Sequence, residues 1–278
     1  MESILEQTFS DYELIIIDDA SETYVNDIIS GYNDERIKYT RLSENGKICN
    51  ALNIGISVSG GEYIAIMHSD DVSIRSRLEK ESEILDKNQN VGLVNSYSVV
   101  QTPNNCGINR PYQDQDIEKL FLKYIGNNIV HPNVMIRKSV LAEHSIKYNP
   151  QFVFAEDYRM WIDIMPYCDF YTIPELLTLY NLNVNPSRQN HSYMGICRKV
   201  ILLENYAEVL NLPKDKYSLF ISKLWDNKFK YIDFMNLRKD VYEPMLEILA
   251  TKLNKRYFCS FSNKLKKTIE DFNPYKKG

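Results

Sequence analysis

Several kinds of segment are missing from this sequence of 278 residues, and each absence narrows the class of protein. No run of about 18 consecutive apolar residues occurs, so the sequence encodes no transmembrane helix. The first residues, MESILEQTFSDYE, lack the basic start and apolar run of a secretory signal. The five cysteines are scattered and never spaced as CxxC, which argues against a disulfide framework or a zinc site and favours a reducing compartment. We therefore expect a cytoplasmic protein.

Two patterns that would indicate other functions are also absent. No G-x-G-x-x-G segment follows a strand-like apolar run, which argues against a dinucleotide-binding oxidoreductase. The net charge is −4 and the basic run is confined to the tail, which argues against nucleic-acid binding. With 44% hydrophobic residues, the chain is long enough for one sizeable core and a smaller appendage.

The basic tail, residues 250–278, carries eight Lys or Arg against two acids. Two interpretations stay open: a solvated last helix, or a peripheral contact with the inner face of a membrane, in which basic side chains approach lipid phosphate. In the second interpretation four apolar residues share one side of the segment, namely Phe258, Phe261, Leu265 and Phe272.

Short apolar runs alternate with helical patterns in the first hundred residues. Residues 12–19 (YELIIIDD) and 63–67 (YIAIM) are continuous apolar runs, as expected of strands buried on both faces. Helical patterns at residues 21–31 and 75–87 separate them from further strand-like runs. This alternation predicts βαβ units, and hence an α/β fold with a mixed, mostly parallel sheet flanked by helices.

The second half of the chain has a different pattern. After residue 100 the alternation loosens, and beyond residue 192 apolar residues recur only at helical spacing. We therefore divide the chain near residue 190, into a domain of residues 1–190 and a C-terminal helical region of residues 191–278.

Paired acids follow both buried runs, at Asp18-Asp19 and at Asp70-Asp71. Ligands in open α/β sheets bind beyond the carboxyl ends of the strands, so we expect both pairs on one rim. At the first pair a carboxylate would accept hydrogen bonds from a uracil N–H or a ribose hydroxyl; the alternative is a helix cap. At the second pair, two adjacent carboxylates repel each other and favour a bound Mg²⁺ or Mn²⁺; the alternative is a solvated turn.

A third acidic pair, Glu156-Asp157, opens an amphipathic segment that includes Trp161. A carboxylate at a helix start is often a partner of the helix dipole. The functional alternative is a base that takes a proton from an acceptor hydroxyl, while a metal stabilises a departing diphosphate.

Four segments in this order resemble the ordered blocks of family 2 glycosyltransferases, and they span about residues 6–180. The segments are YELIIIDDAS, ENGKICNALNIGISVSGGEYIAIMHSDD, IVHPNVMIRKSVL and FAEDYRMW. The resemblance implies a GT-A (Rossmann-like) fold and a nucleotide-diphosphate sugar donor, most often a UDP-sugar. It also implies Mg²⁺ or Mn²⁺ and inversion at the anomeric carbon.

The resemblance assigns donor contacts to the first two segments. It implies that Asp18 and Asp19 hold the nucleoside, and that Lys47 and Asn53 lie beside the donor, where the lysine faces phosphate.

The metal, the base and the acceptor pocket are assigned in the same way. The resemblance implies that Asp70 and Asp71 bind the metal, with Asp70 also at the donor, and that Asp157 is the catalytic base. Glu156 and Trp161 would lie at the donor or acceptor pocket. For His131, which precedes a proline, a structural role beneath the site and a ligand-facing role stay open.

Three features depart from the family pattern. His68 replaces the first acid of the metal motif, and Asn181 replaces an arginine that often follows Tyr180. The chain also starts inside the helix that follows the family's first strand. That strand normally lies between the strands of residues 12–19 and 63–67, so we expect a gap in the sheet that an upstream segment would fill, raising both stability and UDP affinity.

Two functional hypotheses follow. In the first, the protein transfers a sugar from a UDP-sugar to a hydroxyl of a glycan or lipid-linked acceptor in cell-envelope polysaccharide synthesis. In the second, it is a truncated or degenerate relative that serves as a binding module. The three acidic pairs favour the first hypothesis; His68 and the missing strand favour the second.

Overall fold

A computed structural model describes residues 1–23, 25–182 and 191–274 of the chain. The strands are β1 (Leu14–Asp18), β2 (Ile37–Arg41), β3 (Tyr63–Ala65), β4 (Val72–Ser73), β5 (Val91–Thr102), β6 (Asn105–Asn109), β7 (Val134–Arg137) and β8 (Asp169–Asn181). The helices are α1 (Glu2–Leu5), α2 (Asn26–Ser30), α3 (Lys47–Val58), α4 (Arg77–Lys87), α5 (Gln115–Tyr124), α6 (Lys138–Glu143), α7 (Glu156–Ile164), α8 (His191–Val209), α9 (Lys214–Trp225), α10 (Tyr231–Lys252) and α11 (Lys255–Glu270).

The chain folds as two units. The first comprises Met1–Gln115 and Asn128–Arg188, and the second comprises Asp116–Asn127 and Gln189–Gly278. The second unit begins close to the predicted division at residue 190, but it also takes most of α5 from the middle of the chain. The sequence does not predict that α5 belongs to the second unit, because the apolar stripe of a helix does not reveal which unit it packs against.

The larger sheet of the first unit has the order β3-β7-β5-β8-β4, with β6 paired to β5. β5 and β8 run parallel, whereas β7 runs antiparallel to both β3 and β5. β4 and β6 are also antiparallel to their partners. The mixed sheet is confirmed, but the expected excess of parallel pairs is not found in the described strands, because β7 enters the sheet against the direction of its neighbours.

β1 and β2 form a separate parallel pair, in register from Leu14 and Ile37 to Asp18 and Arg41. Among the described residues, no strand pairs with the second edge of β1 or with the outer edge of β3. β1 and β3 therefore each have an edge without a partner strand in the described chain, and the gap between them stays a prediction.

The segment after α1 is fastened to the start of α4 by Gln7. Its Nε2 donates to Ile74 O at 2.9 Å, and Leu78 N donates to its Oε1 at 3.0 Å. Gln7 is buried, so both ends of its amide need partners, and these backbone groups supply them.

The core of the first unit lies between α4 and the larger sheet. Its cluster of buried apolar side chains comprises Leu78, Leu85, Val91, Val94, Met135, Ile173 and Leu177. A fully buried ion pair, Arg77 with Glu81, lies beside it at a distance of 3.0 Å. Arg77 Nη2 also donates to Ile66 O at 3.1 Å and to Val134 O at 3.0 Å. Arg77 thereby ties α4 to the end of β3 and to the start of β7.

The second unit is helical throughout its described residues, as the sequence predicts beyond residue 192. Tyr206 OH in α8 donates to Tyr124 O at 2.7 Å, and Thr268 Oγ1 in α11 donates to Ile125 O at 3.2 Å. These bonds hold the end of α5 against the C-terminal helices.

The apolar side of the basic tail is packed inside this second unit. Phe261, Leu265 and Phe272 are buried, and the ring of Phe261 contacts Phe121 edge-on with centroids 5.8 Å apart. These three side chains are therefore not available to enter a membrane, as the second interpretation of the tail required. Within the described residues, no helix is both long enough and apolar enough to cross a membrane.

Candidate active site

The turn after β3 carries Asp71, whose side chain is fully buried. Asn181 N, at the end of β8, donates to Asp71 Oδ1 at 2.7 Å. Asp71 Oδ2 has no hydrogen-bond partner in the described part of the chain, and it lies 3.7 Å from His68 Nδ1. Burial raises the pKa of Asp71 to about 7, and the charge of Asp70 acts in the same direction. An orphaned carboxylate oxygen of this kind is a candidate ligand for a cation.

A divalent cation fits the residues around this oxygen. One ligand atom from each of His68, Asp70 and Asp71 can be chosen so that all three lie within 4.8 Å of one another. Two carboxylates and an imidazole nitrogen are ordinary ligands of divalent metals. The predicted metal ligands Asp70 and Asp71 are therefore brought together, and His68 joins them.

Behind this cluster lies a row of hydrogen-bonding side chains. His68 Nε2 is 3.3 Å from His131 Nδ1, and His131 Nε2 is 2.8 Å from Tyr148 OH. Burial lowers the pKa of both histidines, so both rings are neutral near pH 7. His131 is buried beneath the site, which favours the structural role among the two that the sequence left open.

Asn133 fixes the turn that carries His131. Its Oδ1 accepts from Ser96 Oγ at 2.7 Å and from Thr178 Oγ1 at 2.6 Å, and its Nδ2 donates to Ser96 O at 2.6 Å. Pro132 occupies the first turn of the short 3-10 helix His131–Asn133. The HPN segment is therefore locked to β5 and β8, which sets the position of the His131 ring.

Glu156 and Asp157 are the first residues of α7. Glu156 is buried, and its Oε2 has no hydrogen-bond partner among the described residues. Burial, and then the negative charge of Asp157, raises the pKa of Glu156. Tyr158 N donates to Asp157 Oδ1 at 2.6 Å. Phe154, just before the helix, has a φ of 75°, a strained conformation of the kind found at functional sites.

The start of α7 lies next to the histidine row. The ring of Trp161 contacts His131 edge-on, with centroids 5.8 Å apart, and its buried Nε1 has no partner in the described chain. Burial, followed by the charges of Asp157 and Glu156, raises the pKa of Tyr148 well above its usual value. His131 therefore contacts His68, Tyr148 and Trp161, and Tyr148 is close enough to the acidic pair of α7 to respond to its charge.

The predicted donor residues near β1 lie in a second cluster. Asp18 accepts from Ser21 N at 2.8 Å, from Tyr39 OH at 2.7 Å and from Arg41 Nη1 at 2.6 Å. Asp19 Oδ1 accepts from Gly46 N at 2.8 Å, which places the 45–47 loop against the end of β1. In the described chain, no hydrogen bond or ion pair links these acids to Asp70 or Asp71. The shared rim therefore stays a prediction.

Lys47 and Asn53 occupy α3 in different ways. Lys47 is exposed at the first position of the helix. The Asn53 amide is engaged with backbone: Nδ2 donates to Tyr148 O at 2.9 Å, and Tyr148 N donates to Oδ1 at 2.9 Å. Both contacts of Asn53 therefore hold the segment that carries Tyr148, where the sequence predicted a contact with the donor.

The sequence profile described as Glycosyl transferase family 2 matches residues 1–145, more than half of the chain. The chain belongs to glycosyl transferase family 2. An uncharacterized glycosyltransferase of Haemophilus influenzae is 31% identical over 75% of this chain and 68% of that protein. The UDP-Glc:alpha-D-GlcNAc-diphosphoundecaprenol beta-1,3-glucosyltransferase WfgD of Escherichia coli is 27% identical over 59% of this chain and 62% of that protein.

Two solved structures share the fold of this glycosyltransferase. S. aureus TarS in complex with UDP-GlcNAc matches with a TM-score of 0.61 and 13% identity, over 98% of this chain and 84% of that chain. The mannosyltransferase PcManGT of Pyrobaculum calidifontis, in complex with GDP-Man and Mn²⁺, matches with a TM-score of 0.54 and 16% identity, over 97% of this chain and 80% of that chain. The GT-A fold expected from the sequence is confirmed.

Three site residues of the glycosyltransferase escaped the sequence analysis. Tyr148 and Arg77 belong to no recognised segment, and no local pattern marks them. Asn181 was noted only as a departure from the family pattern. It acts through its backbone N–H, which its residue type does not reveal.

Replacing Asp18 with Asn is expected to lower the melting temperature of this glycosyltransferase in a pH-dependent way. Burial favours the protonated acid, but the bonds from Ser21, Tyr39 and Arg41 prevail and hold the pKa of Asp18 well below its usual value. The stabilisation is present above the unfolded pKa and is lost as pH falls. The difference in melting temperature between the wild-type protein and Asp18→Asn should be largest above about pH 5 and should become small towards about pH 2. A gap that does not change with pH, or an equal gap for the exposed Asp11→Asn, would contradict this account.

Proposed function

We propose that this glycosyltransferase is an inverting, metal-dependent enzyme that uses a UDP-sugar and a hydroxyl acceptor on a glycan or a lipid-linked glycan. The observation that carries the proposal is the orphaned Oδ2 of buried Asp71. It lies beside His68 and Asp70, and His68 contacts His131, which contacts Trp161 of α7, the helix that begins with Glu156 and Asp157. A cation site next to a candidate base is what a displacement of diphosphate requires.

Each acidic pair has a separate role in this proposal. Asp157 accepts the proton of the acceptor hydroxyl as its oxygen forms a bond to the anomeric carbon, and the bond from that carbon to the diphosphate breaks on the opposite face. A single displacement of this kind inverts the anomeric centre. Asp70 and Asp71 hold Mg²⁺ or Mn²⁺, which, when bound, stabilises the charge of the departing diphosphate.

Donor recognition is assigned to the second cluster. Asp19 and Asp18 position the nucleoside at the end of β1, and exposed Lys47 faces phosphate. Asp18 already receives three hydrogen bonds, so Asp19 is the better placed of the two to receive a ribose hydroxyl or a uracil N–H.

The relatives support the choice of donor and acceptor. The name of WfgD gives a UDP-linked donor and a lipid-diphosphate acceptor, and the TarS complex contains UDP-GlcNAc. We therefore propose a role in cell-envelope polysaccharide synthesis at the cytoplasmic face of a membrane. Any contact of the C-terminal tail with lipid would rest on charge, because Phe261, Leu265 and Phe272 are buried.

The function is tested by measuring melting temperature and donor hydrolysis for a panel of UDP-sugars in the presence of Mn²⁺. A ligand at about 100 times its Kd adds about 2.7 kcal/mol to the free energy of unfolding, so even a weak donor registers. Stabilisation with slow hydrolysis supports transfer activity. Stabilisation with neither donor hydrolysis nor transfer to any tested acceptor would favour the degenerate binding module.

Replacing Asp70 or Asp71 with Ala is expected to remove the metal dependence of UDP binding. The wild-type protein should bind UDP more tightly with Mn²⁺ than without it, because a cation held by Asp70 and Asp71 would offset the negative charge of the diphosphate. Calorimetry of each variant with and without Mn²⁺ measures this difference, and Asp226→Ala, which removes an exposed carboxylate beside Lys228, is the control. Equal UDP affinity of the wild-type protein with and without Mn²⁺ would refute the metal assignment.

A further inference from the structure

The metal cluster contains a histidine where the family pattern has an acid. We propose that His68 binds the divalent cation directly through Nδ1 and makes the site selective for transition-metal dications over Mg²⁺. The inference rests on the proposed metal-dependent function, and it assigns both a ligand atom and a metal preference that the acidic residues alone do not give.

The geometry places His68 Nδ1 against the available ligand oxygen. Nδ1 lies 3.7 Å from Asp71 Oδ2, too far for a hydrogen bond, and that oxygen has no other partner in the described chain. Metal–ligand distances near 2.0–2.2 Å allow one ion to contact two atoms at about this separation. Asp70, which is partly exposed, offers the third ligand atom.

The other ring nitrogen of His68 is held from behind. Nε2 lies 3.3 Å from His131 Nδ1, and His131 Nε2 lies 2.8 Å from Tyr148 OH. His68 has a lone pair on Nδ1 when its proton is on Nε2, and that N–H then donates to His131 Nδ1. His131 in turn carries its proton on Nε2 and donates it to Tyr148 OH. A histidine that binds metal usually donates its second N–H to a carboxylate, a carbonyl or a water, which fixes the tautomer and the ring orientation, and the His131 ring takes that place here.

Packing restricts the rotation of both rings. His68 and His131 meet edge-on with centroids 5.0 Å apart, and His131 is itself packed against Trp161 and Tyr148. The His68 side chain is only 22% exposed. The ring is thereby oriented before a metal binds, and Tyr148 and His131 act as positioning residues for the ligand nitrogen.

A nitrogen ligand changes which metals the site prefers. Mg²⁺ favours an all-oxygen octahedral shell and gives up its waters reluctantly. First-row transition metals accept imidazole readily, with affinity rising from Mn²⁺ through Co²⁺. An aspartate at position 68 would give an all-carboxylate set, which removes the penalty for Mg²⁺. The side chain at this position therefore decides between the two classes of ion.

The direct test is pulsed EPR of the full chain loaded with Mn²⁺ and UDP. A nitrogen bonded to Mn²⁺ couples strongly to its unpaired electrons, so the wild-type protein should show a nitrogen hyperfine signal from imidazole. His68→Asp should bind Mn²⁺ and lose that signal. His144→Gln, which removes an exposed histidine stacked on Tyr167, is the matched control and should keep it.

Metal selectivity is measured on the same proteins by calorimetry with Co²⁺ and with Mg²⁺ in the presence of UDP. The ratio of the Mg²⁺ Kd to the Co²⁺ Kd should fall by at least about tenfold in His68→Asp, since even the loss of an outer partner changes metal affinity by about 10–100-fold. Tyr148→Phe should keep the nitrogen signal but weaken Co²⁺ binding by about tenfold, because His131 loses its acceptor.

The outcomes separate this inference from the proposed function. If Mn²⁺ does not bind in the presence of UDP, the metal-dependent function fails and the inference fails with it. If Mn²⁺ binds but the wild-type protein shows no imidazole signal, or His68→Asp keeps both the signal and the selectivity ratio, the metal site stands and the role of His68 is overturned.

Discussion

Replacing Asp157 with Asn is expected to lower the rate of sugar transfer by about 10²–10⁴-fold, the usual contribution of a positioned base. The amide keeps the shape of the side chain at the start of α7 but does not accept a proton. UDP affinity should be unchanged, because the proposed donor contacts lie elsewhere, at Asp19, Asp70 and Asp71. The measurement is single-turnover transfer at saturating donor, with UDP affinity determined by calorimetry on the same preparation.

Two variants on the same helix sharpen this test. Asp163→Asn removes a partly exposed carboxylate that forms an ion pair with Arg159 at 2.7 Å, and it should leave the transfer rate nearly unchanged. Glu156→Gln removes the neighbouring buried acid, whose pKa is raised by burial. A larger loss of rate in Glu156→Gln than in Asp157→Asn would move the role of base to Glu156. A matching loss of UDP affinity in Asp157→Asn would contradict a role confined to proton transfer.

Local sequence patterns predicted the parts of this site that depend on strand and helix ends. Asp70 and Asp71 follow an apolar run, and Glu156 and Asp157 open an amphipathic segment, so periodicity alone placed them at the ends of elements. In the structure His68, which lies beside Asp70 and Asp71, contacts His131, and His131 contacts Trp161 of α7. Their joint role in catalysis stays a prediction. The family profile and the shared fold then confirm the class of enzyme that the four segments resembled.

The remaining contacts depend on chain segments that are distant in sequence. Tyr148 reaches His131 from a loop whose backbone is held by Asn53, 95 residues earlier. Asn181 N reaches Asp71 across 110 residues, because β4 pairs with β8. The antiparallel entry of β7 was missed for the same reason: strand direction is set by the packing of the whole sheet, and the apolar pattern of a strand is the same in both directions.

Arg77→Ala is expected to lower the free energy of unfolding by about 3–5 kcal/mol, because it leaves Glu81 as a buried acid without its partner. Arg77 and Glu81 are both fully buried, and burial already raises the pKa of Glu81 against the opposing effect of Arg77. The variant also removes the donor to Ile66 O and Val134 O. Chemical denaturation at pH 7 measures the change, which is a large part of the about 5–15 kcal/mol that folded domains have.

The same helix supplies a control with identical spacing. Lys87 and Glu83 form an ion pair at 2.8 Å, also four residues apart, but both side chains are more than half exposed. Lys87→Ala should therefore lower the free energy of unfolding by less than about 1 kcal/mol.

The double variant Arg77→Met with Glu81→Leu should recover part of the stability lost in Arg77→Ala, because it removes both charges. It should not recover all of it, because the two carbonyls still lack their donor. Because Ile66 lies two residues before His68, the double variant should also bind Mn²⁺ more weakly than the wild-type protein. If Arg77→Ala and Lys87→Ala lower the free energy of unfolding by the same amount, the buried pair does not anchor the end of β3. The segment of residues 68–71 would then be held in place by Asn181 and β4 alone.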